Sequence, residues 1–489
     1  MRVEHLDVLV VGAGLSGIGA GCRLQTQCPD RTYAILEARD SIGGTWDLFR
    51  YPGIRSDSDM YTLGFPFRPW RGEKSIADGA SILQYVRDTA AEYGIDTKIR
   101  FGHRVVSAAW SSADARWTVR VDSGGKDSGG KDTGGHYTEL SCTFLYLCSG
   151  YYSYESGYLP DIPGLDDFAG TVVHPQFWPD DLDYEGRKVV VVGSGATAVT
   201  LVPSLAEKAE HVTMLQRSPS YVMSLPSRDP IATRIRKYLP DKVSHRVIRA
   251  KNTVTNLGFY QLCQRLPGVA KPVLRRLAQR HLRDESTVDP HFSPSYRPWD
   301  QRMCLVPDAD LFKALNAGTA DIVTDHIDTV TEKGVQLESG DHLDADILVT
   351  ATGLRLVPAG GVEFTIDGET VDLAEHYTYR GMMLSGVPNL ALCLGYTNAS
   401  WTLRADLASL YVCRLLNHMR AGGYRVARPD SHHDASPQPL LGLTSGYVAR
   451  SESILPKQGS RSPWLMRQNY LLDLPTMRLG RIDESMEFA

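Results

Sequence analysis

The stretch Val8-Leu9-Val10-Val11-Gly12-Ala13-Gly14-Leu15-Ser16-Gly17 reads as a buried strand, a tight turn and the start of a helix. The pattern recurs at Val189-Val190-Val191-Val192-Gly193-Ser194-Gly195-Ala196-Thr197-Ala198. In such turns the first glycine permits the bend, and the second lets a pyrophosphate approach the backbone. The third small residue lets the helix pack on the strand, and the anion rests at the positive end of the helix. Charge separates the two copies. The first is followed by Tyr33-Ala34-Ile35-Leu36-Glu37, which ends in a carboxylate 25 residues after Gly12. The second is followed by His211-Val212-Thr213-Met214-Leu215-Gln216-Arg217, which ends in a cation 24 residues after Gly193. A carboxylate there accepts hydrogen bonds from a ribose diol and repels a 2′-phosphate, whereas an arginine attracts one. Glu37 therefore predicts FAD or NAD, and Arg217 predicts NADP. A single glycine turn carries little information, but two with strand context and matched spacing carry much more.

At 489 residues the chain is long enough for two or three domains. The order of elements predicts an α/β fold with two Rossmann-like dinucleotide-binding domains, the second inserted in the first. Residues 1–152 are expected to form the first part of the domain for FAD or NAD, and residues 153–225 the first part of an NADP-binding domain. A helical insertion is expected over 226–292. Residues 293–353 would complete the NADP domain, and 354–489 would return to the first domain. The return is signalled by Leu390-Ala391-Leu392 and by the helical run Ala405 to Met419. The turn at 395–401 reads equally as a flavin contact at that helix's N-terminus and as an ordinary cap. The Gly/Ser/Lys/Asp near-repeat at 123–135 reads as a hairpin tip without chemistry.

Composition removes several function classes. A net charge of −5 gives no global basic field for nucleic acid. The eight cysteines form no CxxC pair, which argues against a redox dithiol and a clustered metal site. Residues 1–7 lead straight into a strand, and no apolar run nears the roughly 20 residues that span a bilayer. The expectation is a cytoplasmic protein. One segment stands apart: residues 228–283 hold 14 Lys and Arg against Asp229 and Asp241. Its helical pattern places Val243, Val247, Ala250, Val254 and Leu257 on one face. It reads either as a solvated insertion or as a peripheral contact with anionic lipid.

Between the two glycine turns lies Phe168-Ala-Gly170-Thr-Val-Val-His174-Pro-Gln-Phe-Trp178-Pro179, with spacing FxGxxxHxxxWP. This resembles the fingerprint of the type I Baeyer–Villiger monooxygenases, class B flavoproteins, at every fixed position. Related N- and S-oxidising flavin monooxygenases carry Tyr or Phe where this chain has Trp178. The stretches from Gly43 to Phe65, Pro298 to Pro307, Gly395 to Thr402 and Pro456 to Trp464 resemble the ethionamide-activating mycobacterial branch of that family. Read without the resemblance, His174 is a structural histidine. With it, Phe168, Gly170, His174 and Trp178 become a linker coupling nucleotide binding to domain motion.

The resemblance implies FAD as resident cofactor, NADPH as reductant and molecular oxygen as co-substrate. A C4a-peroxyflavin would insert oxygen into a ketone to give an ester or lactone, and would also oxidise sulfides or thioamides. It places the catalytic cation on Arg302 and its carboxylate partner on Asp57. An arginine suits the role because it stays charged and offers a planar fork of donors. The FAD-side positions are Gly12, Gly14, Ser16, Gly17, Glu37, Thr45, Trp46, Asp47, Arg55, Ser56, Asp57 and Val105. The NADP-side positions are Gly193, Ser194, Gly195, Thr197, Ala198, Gln216, Arg217 and Thr352. Two other readings stay open: an N- or S-hydroxylating flavin monooxygenase, and a non-catalytic flavoprotein that senses NADPH. Trp178 argues against the first, Arg302 and Asp57 against the second. No catalytic metal or nucleic-acid partner is implied.

Overall fold

The computed structural model describes residues 3–124, 135–430 and 436–489. Most of the hairpin tip expected at 123–135 lies outside them. Two sheets organise the rest. The larger has nine strands. Its parallel part sets Glu4–Val11 between Tyr33–Leu36 and Tyr137–Leu147, with Ile99–Arg100 beyond Tyr33–Leu36. Arg116–Asp122 pairs antiparallel with the first half of Tyr137–Leu147, and Leu390–Leu392 pairs parallel with its last residues. Glu363–Ile366 extends the sheet on Arg104–Ser111. Strands from both ends of the sequence therefore share one sheet.

The smaller sheet is wholly parallel, in the order Ala320–Thr324, His211–Gln216, Lys188–Val192, Ile347–Thr350 and Thr171–Val173. Covered on both faces, such strands read as unbroken apolar runs. Val189, Val190 and Val191 are accordingly buried. All the strands of this sheet lie in sequence between those of the larger one, so the second unit is inserted in the first.

Among the helices that cover these sheets or build the insertion are α1 (Leu15–Gln27), α2 (Met60–Leu63), α3 (Ala196–Leu205), α4 (Pro230–Tyr238), α5 (Asp241–Arg265), α6 (Pro267–Gln279) and α7 (Trp401–Gly422). α1 and α3 follow the two glycine turns. Gly12 has φ +102°, and a Cβ there would stand 2.7 Å from the Cys148 carbonyl oxygen. A Cβ on Gly17 would stand 1.8 Å from the Gly12 carbonyl oxygen, so the third glycine brings helix onto strand.

The chain enters the second unit through Tyr152–Gly157 and leaves it through Leu354–Leu356. These two crossings pair with each other as an antiparallel ribbon.

α4, α5 and α6 form the helical insertion. α5 is turned in an unusual sense. Its buried residues include Ser244, His245, Arg249, Asn252 and Thr253. Of the expected apolar face, Val243, Val247, Ala250 and Val254 are exposed and Leu257 is half-buried. Two residues of this inward face, Arg249 and Asn252, are satisfied by α2 and its flanks, whereas the His245 ring and the Thr253 hydroxyl are buried without a hydrogen-bond partner among the described residues. Arg249 donates to the carbonyls of Tyr61, Thr62 and Gly64 at 2.7–3.1 Å. Asn252 donates to Asp59 at 2.7 Å.

Candidate active site

Both glycine turns open on one cavity of ≈ 1140 Å³. Gly12, Gly14 and Ser16 line one part, and Gly193, Ser194, Gly195 and Thr197 line another. Neither Gly14 nor Gly195 places a capping side chain on the helix it starts. Each helix therefore leaves first-turn N–H groups and a positive dipole end toward the cavity, the arrangement that holds a phosphate. Two anion seats in one cavity fit two dinucleotides.

The charges stand where the strands predict. Glu37 is buried at the cavity wall and accepts from the backbone N–H of Ala13 (2.7 Å) and of Arg39 (2.9 Å). Burial raises its pKa, against those hydrogen bonds and the Arg39 charge. Arg217 is exposed and lines the cavity. The fit to FAD on the Glu37 side and to a 2′-phosphate on the Arg217 side rests on these two residues and on the uncapped helices.

Between the two seats lies Arg302. It sits deep in the molecule, yet its side chain is exposed into the cavity rather than packed. It makes no hydrogen bond or ion pair with any described residue. Depth lowers its pKa, but the surrounding oxygens of Tyr151, Asp57, Tyr152 and Tyr447 outweigh that, and the net shift is upward. The guanidinium stays charged. Asp57 is close enough to feel it: burial raises the carboxyl, and the charges of Arg302 and Arg55 work against the rise. Arg55 itself is ion-paired with Asp310. The segment carrying Arg302 is held from two sides. Cys304 donates its N–H to Tyr221 (2.9 Å), and Thr444 donates its N–H to the Asp300 carbonyl (2.7 Å).

Three phenols complete this pocket. Tyr151 and Tyr152 meet edge to face at 4.6 Å, and Tyr151 leans on Trp401, 5.2 Å away. Tyr447 comes from the short helix Gly446–Ala449. Burial raises the pKa of Tyr152 and of Tyr447, and Arg302 opposes both rises. Trp401, first residue of α7, donates Nε1–H to Ser16 Oγ at 2.7 Å and lines the cavity. The α7 N-terminus thus reaches the first dinucleotide seat from the opposite end of the sequence.

The remaining expected residues divide. Thr45, Trp46, Arg55, Ser56, Asp57, Val105 and Thr352 line the cavity. Gly17 and Ala198 do not; both sit where helix packs on strand. Asp47 does not line it either: it is buried and ion-paired to Arg39 (2.7 Å) and Arg87 (3.0 Å). Nor does Gln216, whose amide donates to the His291 carbonyl (3.0 Å) and to Thr324 Oγ1 (2.8 Å).

The linker residues also lie off the cavity. Phe168 is in the core beside Val190 and Leu215. A Cβ on Gly170 would stand 2.3 Å from the Asp346 carbonyl oxygen. Trp178 meets Tyr184 edge to face at 6.5 Å. His174 lies against the ribbon between the two units. Its Nδ1 accepts from Gln176 N–H (3.2 Å), which leaves the proton on Nε2 to donate to the Gly353 carbonyl (3.2 Å). Burial lowers its pKa, against the Gly353 and Tyr158 carbonyls.

Comparison with known proteins agrees with this geometry. Residues 73–251 match the model of flavin-binding monooxygenase-like proteins, and residues 10–71 match an NAD(P)-binding Rossmann-like domain. The chain is 54% identical to the FAD-containing monooxygenase EthA of Mycobacterium tuberculosis, over 99% of this chain and 98% of that one. It is 46% identical to the probable FAD-binding monooxygenase AlmA of Acinetobacter baylyi, over 99% and 96%. In fold it is similar to an oxidised steroid monooxygenase bound to NADP, with a TM-score of 0.77 at 23% identity and 99% of each chain covered. On that full-length identity the chain belongs to the FAD-containing monooxygenases, flavoprotein oxidoreductases that bind FAD and NADP(H).

Proposed function

We propose that the protein uses NADPH and molecular oxygen to insert oxygen beside the carbonyl of ketones, giving esters or lactones, and also oxidises sulfides and thioamides. The observation that carries this reading is Arg302: a cation without an ion-pair partner among the described residues, exposed into the cavity between two dinucleotide seats. FAD, reduced by NADPH, supplies the activated oxygen when bound. The chain's part is electrostatic. Arg302 would stabilise negative charge on the attacking oxygen and on the substrate oxygen as the carbonyl carbon becomes tetrahedral. Asp57 acts on Arg302 through its charge alone and helps to keep the guanidinium protonated. Tyr151, Tyr152 and Tyr447 enclose the reacting carbon and restrict water. A carbonyl needs this anion-stabilising site, whereas a sulfur lone pair attacks a protonated oxygen without it.

In the same reading Phe168, Gly170, His174 and Trp178 transmit nucleotide binding to the ribbon, through the His174–Gly353 hydrogen bond. The Glu37 seat keeps FAD, and the Arg217 seat keeps NADP after hydride transfer. The test is a panel of open-chain and aryl ketones and sulfides with the purified enzyme, NADPH and labelled oxygen, read by mass spectrometry. Labelled esters support the proposal. Sulfoxides with untouched ketones would move the assignment to an S-hydroxylating enzyme. Consumption of NADPH without any labelled product would favour the sensing flavoprotein.

A further inference from the structure

The outward face of α5 has no protein partner among the described residues. Val243, Val247, Ala250 and Val254 recur at helical spacing along it, about 16 Å from end to end at 1.5 Å per residue. Val243, Val247 and Val254 are 45%, 42% and 54% exposed, and Tyr238 just before the helix is 72% exposed. A helix at the surface of a water-soluble domain turns its apolar stripe inward. α5 buries Ile248 and Cys263 but leaves this second apolar stripe outside, because Arg249 and Asn252 are committed inward to the carbonyls around α2 and to Asp59. The stripe therefore faces outward by construction.

Cations border it. Lys237, Lys242, Arg246 and Arg265 are exposed and form no ion pair among the described residues. The whole segment from 228 to 283 has 14 Lys and Arg against two Asp, in a chain of net charge −5. An apolar stripe edged by long basic side chains is the pattern of a helix lying in the headgroup layer of an anionic bilayer. A two-fold dimer through the same face would set these cations against their own copies, which works against that occupant.

We propose that the outer face of α4 and α5 seats the enzyme on anionic lipid, with Val243, Val247 and Val254 entering the acyl boundary and Lys237, Lys242, Arg246 and Arg265 at the headgroups. The proposal is independent of the reaction catalysed.

The test is flotation of the FAD-loaded full chain with phosphatidylcholine vesicles, with and without phosphatidylglycerol. Binding is expected only to the phosphatidylglycerol vesicles, with release as salt rises. Combining Lys242→Glu, Arg246→Glu and Arg265→Glu should weaken binding roughly 100-fold or more. Val247→Asp with Val254→Asp should abolish it. Unchanged flavin content and NADPH oxidation would show that these variants fold, since none touches the cavity. No flotation, or equal flotation on neutral vesicles, would overturn the proposal. So would self-association of the unmodified chain that Val247→Asp removes, which would assign the face to a second copy.

Discussion

At the scale of single residues, the site depends on where a few charges are left without partners. Arg302 is the clearest case, and its loss should separate two activities. Arg302→Ala should lower ketone conversion by about 100-fold or more, in the range of a lost oxyanion donor, while NADPH oxidation continues. Product analysis alongside NADPH consumption checks this, and full ketone conversion would contradict the assignment. Arg217 makes a different prediction. Only NADPH carries a 2′-phosphate, so Arg217→Ala should raise KM for NADPH by about 10- to 100-fold, the worth of a charge-assisted hydrogen bond, and leave KM for NADH nearly unchanged. Equal effects on both nucleotides would remove the role.

Residue by residue, legibility followed backbone geometry. Glu37 and Arg217 were readable because a strand of fixed length after a fixed turn puts its terminal charge at the cavity wall. The same regularity places Gln216: neighbours on a strand face opposite sides, so a cavity-facing Arg217 sends Gln216 toward His291 and Thr324. Asp47 lies in the right segment, but its side chain is taken by Arg39 and Arg87. Tyr151, Tyr152 and Tyr447 had no signal. The first two reach the pocket through the pairing of the crossings, and Tyr447 arrives from a short helix near the end of the chain.

At the scale of elements, α5 shows what periodicity leaves open. Helical spacing located its apolar face but not the direction of that face, which is set by backbone carbonyls of α2 that no sequence pattern reveals. The same packing buries His245, whose pKa is lowered from 6.5 to about 4, chiefly by burial and further by the Arg249 charge. The unfolded chain then takes up the proton first. His245 therefore contributes stability that is fully present above pH 6.5 and is lost as pH falls toward about 4. The loss amounts to about 3 kcal/mol at 1.36 kcal/mol per pH unit. Denaturant titrations across that window should give a flatter profile for His245→Asn than for the parent. Identical profiles would show that the ring is not buried neutral.

At the scale of the whole molecule, the two sheets were legible as two glycine turns, and the insertion as a strand signal returning late in the chain. The shared cavity was not legible, because it depends on how the crossings pair. One consequence concerns ligand linkage. Each dinucleotide binds only the folded chain, so each should raise the thermal midpoint with concentration. At 100 times its Kd, FAD should add about 2.7 kcal/mol. Arg217→Ala should lose the NADP increment and keep the FAD increment, because the two seats use different helices. Loss of both increments together would show that the variant damages the fold rather than one seat.

The shared sheet has a further consequence, for the order in which the chain is made. The strand Tyr137–Leu147 has one end of its edge covered by Leu390–Leu392, which emerges some 240 residues later. At about 5–20 residues per second of synthesis, that edge waits roughly 10–50 s beside the ribosome. The smaller sheet has all its strands by Thr350. The inserted unit can therefore close while the unit that encloses it is still incomplete. Ribosome stalling between residues 350 and 390 should yield nascent chains whose second dinucleotide seat resists protease and whose first does not.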